Sequence, residues 1–142
     1  MKGSTYASYA DLLRNRGLKA TPRRLHLIEI LAQAKKPMGV GEIEAVGASD
    51  TTNTVTLYRA LEALVAAGIV RRVDLRHGHT DYELVTSGDH HHHLVCTGCG
   101  ALESFSDDLC SSLAERLAKQ STDFKTVTAH SMEFFGRCVR CS

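Results

Sequence analysis

The sequence predicts an α+β protein in which a winged helix-turn-helix precedes a small α/β domain. Three observations predict this class: helical spacing of apolar residues up to residue 67, two alternating segments after it, and a change of composition after residue 86. Of the 142 residues, 43% are apolar and 23% are charged, near globular averages, which argues against disorder. The length suits one domain or two small ones.

The first half contains four segments with helical periodicity. Thr21-Pro22 is typical of a capped helix start, Pro37 and Gly39 break that helix, and Gly68 ends the last one. Residues 49–52 are candidate caps for the last helix. The predicted helices cover 5–16, the segment from Pro22 to the break at Pro37, 41–46 and 52–67.

Residues 69–75 and 80–85 alternate apolar and polar side chains, and Gly78 lies between them, which predicts a β-hairpin. Three helices, a further helix and a hairpin follow the order of a winged helix. We therefore expect a winged-helix domain over 1–86, a hinge over 87–90 and an α/β domain over 91–142. The second domain is predicted to contain strands over 93–96, 101–105 and 127–135 and a helix over 107–120.

Composition also bounds the location of the protein. The longest apolar run, about seven residues from Leu64 to Val70, is too short to cross a bilayer, and residues 1–10 have no hydrophobic secretory core. We therefore expect a cytoplasmic protein with no membrane partner. Five cysteines without an export signal favour metal or thiol chemistry over a disulfide framework.

Charge and potential ligands are unevenly distributed. Residues 1–86 carry 12 Lys or Arg against 9 Asp or Glu, whereas residues 87–142 carry 5 against 7. His26 is the only histidine before residue 77, and it is predicted to be a surface or half-buried helix residue. Residues 1–86 are thus mildly basic, and residues 87–142 are rich in potential metal ligands. The charge difference alone is a weak indication of function.

Two CxxC pairs, Cys96/Cys99 and Cys138/Cys141, are separated by 38 residues. Zn²⁺ prefers four soft ligands in a tetrahedron, and each CxxC turn can direct two thiolates at one ion. Such a site has no open position and suits a structural role that pins the C-terminal tail. A redox motif would need a βαβ context that the sequence lacks. Cys110 is outside the pattern and is predicted to be a small buried helix residue, with a ligand or sensor role as the alternative.

Four consecutive histidines precede the first CxxC pair. On a strand, His91 and His93 point to one side and His90 and His92 to the other, so one tract can serve two metal sites. Imidazole suits Zn, Fe, Ni and Cu, and the alternative interpretation is a solvated turn with adventitious binding. Further candidate ligands are His77, His79, Glu83, Asp107, Asp108 and His130.

The fourth helix begins with short hydrogen-bonding side chains followed by an aromatic residue and an arginine, which is typical of a recognition helix. Its candidate DNA-binding residues are Asn53, Thr54, Thr56, Tyr58 and Arg59. Lys19, Arg23 and Arg24 are candidate phosphate contacts near the second helix. The predicted wing adds Arg71, Arg72 and Arg76, whose contacts would weaken with salt.

Together these features resemble the ferric uptake regulator family over nearly the whole chain. The resemblance is carried by residues 17–24, 55–61, 90–99 and 130–141, and the His-rich block with its two CxxC pairs is the most specific part. It implies a homodimer with an N-terminal winged helix and a C-terminal α/β dimerisation domain. Metal in a sensory site would close this dimer onto a palindromic double-stranded DNA operator.

The resemblance also implies residue roles. Cys96, Cys99, Cys138 and Cys141 match the structural zinc site. Glu83, His91 and His93 match sensory ligands, and Met38 stands near the position where many members have a sensory histidine. His77 or His79 would replace that ligand, and we favour His79, which shares strand parity with Glu83.

A second regulatory site is implied by matches at His90, His92 and His130. The family's helix carboxylate falls near Ser111, so Asp107, Asp108 or Cys110 would have to substitute, and we favour Asp108. On the DNA side, Tyr58 and Arg59 match recognition-helix contacts, and Lys19 matches a minor-groove lysine.

The resulting hypothesis is a metal-responsive transcriptional repressor with a structural Zn²⁺ and a second, regulatory divalent ion. Zn²⁺ is the favoured regulatory ion, with Fe²⁺, Mn²⁺ and Ni²⁺ as alternatives. A peroxide sensor on the same scaffold, oxidised at His91, His93 or Cys110, is the second hypothesis. A metal-dependent hydrolase is disfavoured because the sequence lacks an HExxH motif or a nucleophile arrangement, so we do not expect an enzyme.

Overall fold

The computed structural model of the protein describes residues 2–47, 53–85, 91–106 and 109–142, without the side chains of residues 2–6. The chain divides into two compact units, Met1–Ser87 and Gly88–Ser142. This division falls in the predicted hinge, 87–90, which lies outside the described residues. The boundaries of the hinge therefore stay a prediction.

The first unit has the element order of a winged helix. Its elements are α1 (Lys2–Asn15), α2 (Pro22–Gln33), β1 (Met38–Gly39), α3 (Val40–Gly47), α4 (Thr54–Ala66), β2 (Val70–Asp74) and β3 (Thr80–Leu84). The strands form an antiparallel sheet in the order β1-β3-β2. The sequence predicted the helices and the hairpin but missed β1, because a two-residue strand between Pro37 and a helix has too few residues to show alternation.

The helix starts follow from their caps. The Thr21 side chain accepts a hydrogen bond from the Arg24 backbone N–H, and Pro22 opens α2. The N-cap of α4 is Asn53, whose Oδ1 accepts from the Thr56 backbone N–H at 2.9 Å. The helix therefore begins at Thr54, two residues after the predicted start, and the predicted caps 49–52 lie outside the described residues.

The core of the first unit is a continuous cluster of aliphatic side chains from its helices and hairpin. It buries one face of α4 and leaves the face with Tyr58 and Arg59 exposed. The most deeply buried members are Leu13, Ile28, Ile43, Leu61, Leu64, Ile69 and Val70.

The second unit contains β4 (His91–Cys96), β5 (Leu102–Ser106), α5 (Leu109–Gln120) and β6 (Glu133–Gly136). The sheet order is β5-β4-β6, with β5 antiparallel and β6 parallel to β4. The last strand was predicted over 127–135, but its ladder with β4 covers only 133–136, so the alternation before it does not mark a paired strand. The predicted helix start at 107–108 lies outside the described residues.

Two further findings concern the length and the exposure of the helices. Among the described residues, the structure contains no helix with the length and apolar character that a bilayer span requires. Along α5, Leu109, Leu113 and Leu117 form one apolar stripe, as the sequence predicts, and all three side chains are exposed.

Candidate metal centres and nucleic-acid interface

The four cysteines of the CxxC pairs converge at one end of the second sheet. Their Sγ atoms all lie within 4.8 Å of one another, and those of Cys99 and Cys138 are 3.7 Å apart. The parallel pairing of β6 with β4 sets Gly136 opposite Cys96, which delivers the second pair to the first. A Cβ at Gly98 would lie 3.0 Å from the Cys141 Sγ, so the first knuckle requires glycine there.

The backbone stabilises negative charge on this cluster. The Cys96 Sγ accepts from the backbone N–H groups of Cys138 at 3.3 Å and Gly98 at 3.4 Å. These donors, with the Cys138 backbone first, lower the pKa of Cys96 to about 5. Hydrogen bonds to the neighbouring sulfurs raise the pKa of Cys141 to about 12. The lowered pKa of Cys96 favours its thiolate, which is the form that binds a soft cation.

A second cluster occupies one face of β4. The His92 Nε2 lies 2.7 Å from the Cys110 Sγ, and the rings of His92 and His130 have centroids 5.4 Å apart. The ligand atoms of the three residues lie within 4.8 Å of one another. His92 and Cys110 are buried, whereas His130 is exposed, so the cluster opens to solvent on one side.

The other face of β4 carries His91 and His93, whose rings meet edge to face with centroids 5.1 Å apart. Strand alternation thus separates this pair from His92, as the sequence predicts, while His90 lies outside the described residues. In the first unit, Glu83 of β3 forms an ion pair with Arg71. Met38 pairs with Tyr82 and belongs to the aliphatic core, so its thioether is packed rather than presented to an ion.

A third cluster lies in the hairpin of the first unit. The His77 Nε2 is 2.6 Å from the Asp81 Oδ2, and the His79 Nδ1 is 3.1 Å from the Asp81 Oδ1. Sequence reasoning named both histidines but missed Asp81, which lies in β3 while His77 and His79 lie in the turn before it. His79, predicted as a sensory ligand, therefore lies beside Asp81.

The predicted DNA-binding residues gather around α2 and α4. A groove of about 1080 Å³ between these helices is lined by Lys19, Arg23, Arg24 and Arg59, among others. Tyr58 and Arg59 point outward from α4. Two predicted contacts also have local structural roles, because Asn53 caps α4 and the Thr54 Oγ1 donates to the Glu44 Oε1 at 2.7 Å.

The wing arginines are engaged within the first unit. Arg71 pairs with Glu83, and Arg72 pairs with Glu62 on α4. The hydrogen bond and charge of Glu62 raise the pKa of Arg72 above its ordinary value. DNA phosphates would therefore compete with these carboxylates for the two guanidinium groups.

Cys110 was predicted as a small buried helix residue, with a ligand or sensor role as the alternative. It is buried in α5, as predicted, but it also contacts His92, which is 18 residues away in the chain. No sequence signal gives that distance, because it depends on how α5 packs on the sheet. The predicted ligand Asp108 lies outside the described residues.

The comparisons with known proteins agree with this arrangement. The ferric uptake regulator family model matches residues 15–135. A ferric uptake regulation protein of Legionella pneumophila is 33% identical over 132 residues, covering 91% of this chain and 95% of the relative.

Solved structures give the same result. The Vibrio cholerae ferric uptake regulator aligns with a TM-score of 0.70 and 32% identity, covering 91% of this chain and 98% of that one. The Pseudomonas aeruginosa ferric uptake regulator with manganese gives a TM-score of 0.75 and 26% identity over 92% and 98%. The fold is thus an N-terminal winged helix followed by the family's C-terminal α/β dimerisation domain. With its matching sequence and fold, the chain belongs to the ferric uptake regulator family and is a metal-responsive transcriptional regulator, not an enzyme.

Proposed function

We propose that the protein is a homodimeric repressor that binds a palindromic DNA operator when a regulatory metal ion is bound. The observation that carries this proposal is the placement of metal-ligating clusters on β4, where Cys96 contributes to one cluster and His92 to another. A structural ion would hold the second unit together, and a regulatory ion would change DNA affinity. As a DNA-binding regulator it would act in the cytoplasm.

Cys96, Cys99, Cys138 and Cys141 would bind the structural Zn²⁺. Four sulfur donors within 4.8 Å of one another suit the tetrahedral geometry that Zn²⁺ prefers. The N–H donors to Cys96 favour the thiolate that the ion needs. Four protein ligands leave no position for a substrate, so the ion would stabilise the fold and not catalyse a reaction.

The sensory site would comprise His79, Glu83, His91 and His93. The resemblance supports Glu83, His91 and His93, and the adjacent rings of His91 and His93 on one face of β4 suit a shared ion. His79 is our proposed fourth ligand, but β3 begins at Thr80 and His79 precedes it, so strand parity with Glu83 no longer supports this choice. It is the alternative to the assignment of His79 that is argued in the next subsection. Metal binding would require Glu83 to exchange Arg71 for the ion.

A second regulatory site would be built on His92, Cys110 and His130. Their distances support Cys110 as a ligand, and His90 and Asp108 would complete the site from outside the described residues. The exposed side of His130 gives an ion a route in and out. Because thiolate and imidazole together select Zn²⁺ over harder ions, Zn²⁺ is the favoured regulatory metal, with Fe²⁺, Mn²⁺ and Ni²⁺ as alternatives.

Dimerisation is supported by apolar surface on the second unit. The stripe of α5 is exposed at Leu109 by 67%, and Leu94 and Phe134, paired across β4 and β6, are exposed by 44% and 46%. Apolar surface of this extent on one small unit marks an interaction site. A second copy of the chain would cover it and set two recognition helices at a fixed spacing for a palindromic site.

DNA would bind across α4 and the start of α2. Lys19, Arg23 and Arg59 line one groove and would contact phosphates, and Tyr58 and Thr56 lie on the helix that would enter the major groove. Regulation is then a population shift between dimer states. To move that equilibrium from 1:99 to 99:1, the ion must favour the binding state by about 5.5 kcal/mol.

The direct test is metal titration of the zinc-reconstituted protein against an operator selected from a random duplex library. We expect Zn²⁺, Fe²⁺, Mn²⁺ or Ni²⁺ to tighten binding to the selected palindrome, with Zn²⁺ acting at the lowest free concentration. His91→Ala with His93→Ala is expected to remove the response while the protein remains a dimer. Equal DNA affinity with and without every ion would contradict the proposal.

The close contact between His92 and Cys110 supports a second candidate function, a peroxide sensor. The Cys110 Sγ lies 2.7 Å from the His92 Nε2, and peroxide can oxidise a cysteine thiol to a sulfenic acid. Mass spectrometry after peroxide treatment of the iron-loaded protein tests this alternative. Oxidation at Cys110, His91 or His93 together with loss of DNA binding would support it, and unmodified residues with intact binding would remove it.

A further inference from the structure

His77, His79 and Asp81 form a cluster of potential metal ligands in the hairpin. All three residues belong to the first unit. Both carboxylate oxygens of Asp81 face an imidazole nitrogen, at 2.6 Å from His77 and 3.1 Å from His79. The two rings lie 4.0 Å apart between centroids, and the ligand atoms are all within 4.8 Å of one another. Ligands bound to Zn²⁺ at about 2.0–2.2 Å are separated by similar distances.

The surroundings of Asp81 favour a cation. The residue is only 1% exposed, and each of its two carboxylate oxygens lies beside an imidazole nitrogen. A buried carboxylate requires a cationic partner. The two histidine side chains that face it are 40% and 54% exposed, so the same cluster is open to solvent on the opposite side.

The backbone of β1 is shaped around this cluster. Gly39 pairs with Asp81 in the sheet, and a Cβ at Gly39 would lie 2.7 Å from the His79 Cε1 and 2.8 Å from its Nδ1. Any larger residue would therefore displace the imidazole from the carboxylate. The turn itself uses left-handed backbone at Arg76, with φ of 57°, and at Gly78, with φ of 95°. Strand, turn and glycine together bring the three potential ligands to one point.

We propose that His77, His79 and Asp81 form a further metal site, confined to the wing, that binds one divalent transition-metal ion such as Zn²⁺ or Ni²⁺. Two imidazoles and a carboxylate are a ligand set that such ions accept, and water fills the positions on the exposed side. The ion ties the turn to β3 and so fixes the segment that carries Arg76, whose backbone N–H donates to the Asp74 Oδ1 at 2.9 Å.

This inference differs from the sensory-site proposal at His79, because that ligand set contains neither His77 nor Asp81. The two assignments therefore predict different variants to lose the ion. The experiment uses the full-length protein with its structural zinc in place. It compares wild type, His77→Gln with His79→Gln, His91→Ala with His93→Ala, and His26→Gln as the control for an exposed histidine on α2.

The measurement is hydrogen exchange of residues 75–84, followed by mass spectrometry, with and without added Ni²⁺, together with metal content per chain. We expect Ni²⁺ to slow exchange in wild type, in His26→Gln and in the His91/His93 variant. The His77/His79 variant should lose this protection and one ion per chain. Asp81→Asn, which keeps the side-chain shape, should weaken the affinity more than about 100-fold, since even residues that only orient ligands contribute about 10–100-fold.

Two results would overturn the inference. Exchange that Ni²⁺ does not change in wild type means that imidazole–carboxylate ion pairs alone hold the turn. Protection that disappears equally in the His77/His79 and His91/His93 variants assigns His79 to the sensory site instead. An unchanged thermal midpoint of the first unit in His77→Gln with His79→Gln excludes unfolding as the reason for lost binding.

Discussion

The two units of this chain achieve stability in different ways. The first unit encloses a continuous aliphatic core, with Leu13, Ile28, Leu61 and Leu64 fully buried. In the second unit, the buried apolar residues among those described are Val95, Cys96 and Cys110, and two of these are cysteines. The leucine stripe of α5 is instead exposed, and so are Leu94 and Phe134 on the sheet. The first unit is thus stabilised by its apolar core, whereas the second exposes apolar surface and a cysteine cluster that a partner and a metal ion would cover and bind under the proposed function.

Size explains the difference. Residues 88–142 form a unit of the length at which an apolar core alone is marginal and a metal or an oligomer usually assists. The tetracysteine cluster joins the end of β4 to the C-terminal tail, and the stripe of α5 offers surface for a second copy. Under the proposed function, the unit that would depend on a structural metal for its fold is also the unit whose histidines would bind the regulatory metal.

Cys138→Ser is expected to have the largest effect. The serine oxygen is a poor zinc ligand, and structural zinc contributes about 10–16 kcal/mol to small metal-dependent domains. The second unit should lose its zinc and unfold, while the first unit keeps its own unfolding transition. Metal analysis and calorimetry measure both. Cys110→Ser is the matched control, and a zinc-loaded, folded Cys138→Ser protein would contradict the structural role.

Leu113→Glu tests whether the leucine stripe of α5 is the dimer interface that would stabilise the second unit. Burying a leucine contributes roughly 1.5–3 kcal/mol, and a two-fold interface contains the substitution twice. We expect dissociation to monomers by sedimentation equilibrium. Ser112→Glu adds the same charge at an exposed position beside the stripe and should leave the dimer intact. Equal dimerisation of the two variants would show that the stripe is not the interface.

The same contrast between the two units explains which elements and sites could be predicted from the sequence. The four helices and the hairpin of the first unit were predictable because an aliphatic core imposes periodicity on α2 and α4. The CxxC pairs were equally predictable as metal ligands, since the coordination of a tetrahedral ion dictates their spacing. The short β1 was missed and β6 was predicted too long, because pairing with a distant strand, not local alternation, decides which residues form a strand.

The clusters other than the tetracysteine site were only partly predictable. Strand parity separated His91 and His93 from His92 correctly, since that separation is local geometry. The contact of Cys110 with His92 depends on where α5 rests on the sheet, which no local pattern encodes. Asp81 was overlooked because a single acidic residue in a strand is usually solvated, whereas here β1 covers it.

Cys110→Ser in its own right measures whether the open cluster binds metal. Removing the sulfur next to His92 should weaken the second regulatory site more than about 10-fold, while the structural zinc stays bound. Competition with a chelator of known affinity measures the change, and Ser111→Ala on the same helix is the control. An unchanged affinity would mean that His92 and His130 bind the ion without the Cys110 thiol. Only the tetracysteine cluster of this unit would then bind metal through sulfur.

Arg59→Ala should have the smallest effect on the fold and a selective effect on function. Arg59 is exposed on α4 and lines the groove with Lys19 and Arg23, so its loss leaves the aliphatic core untouched. The free energy of DNA binding should become less favourable by about 1 kcal/mol or more. If Arg59 contacts a phosphate, the slope of log affinity against log salt concentration should become shallower by about one.

Arg116→Ala, which removes an exposed arginine from α5, is the control for Arg59→Ala and should bind DNA as the wild type does. Fluorescence anisotropy over a salt series distinguishes the two variants, and metal content should be equal in both. If the α5 variant lost affinity and the α4 variant did not, DNA contact would belong to the second unit. The division between a self-supporting DNA-binding unit and a metal-dependent sensory unit would then be wrong.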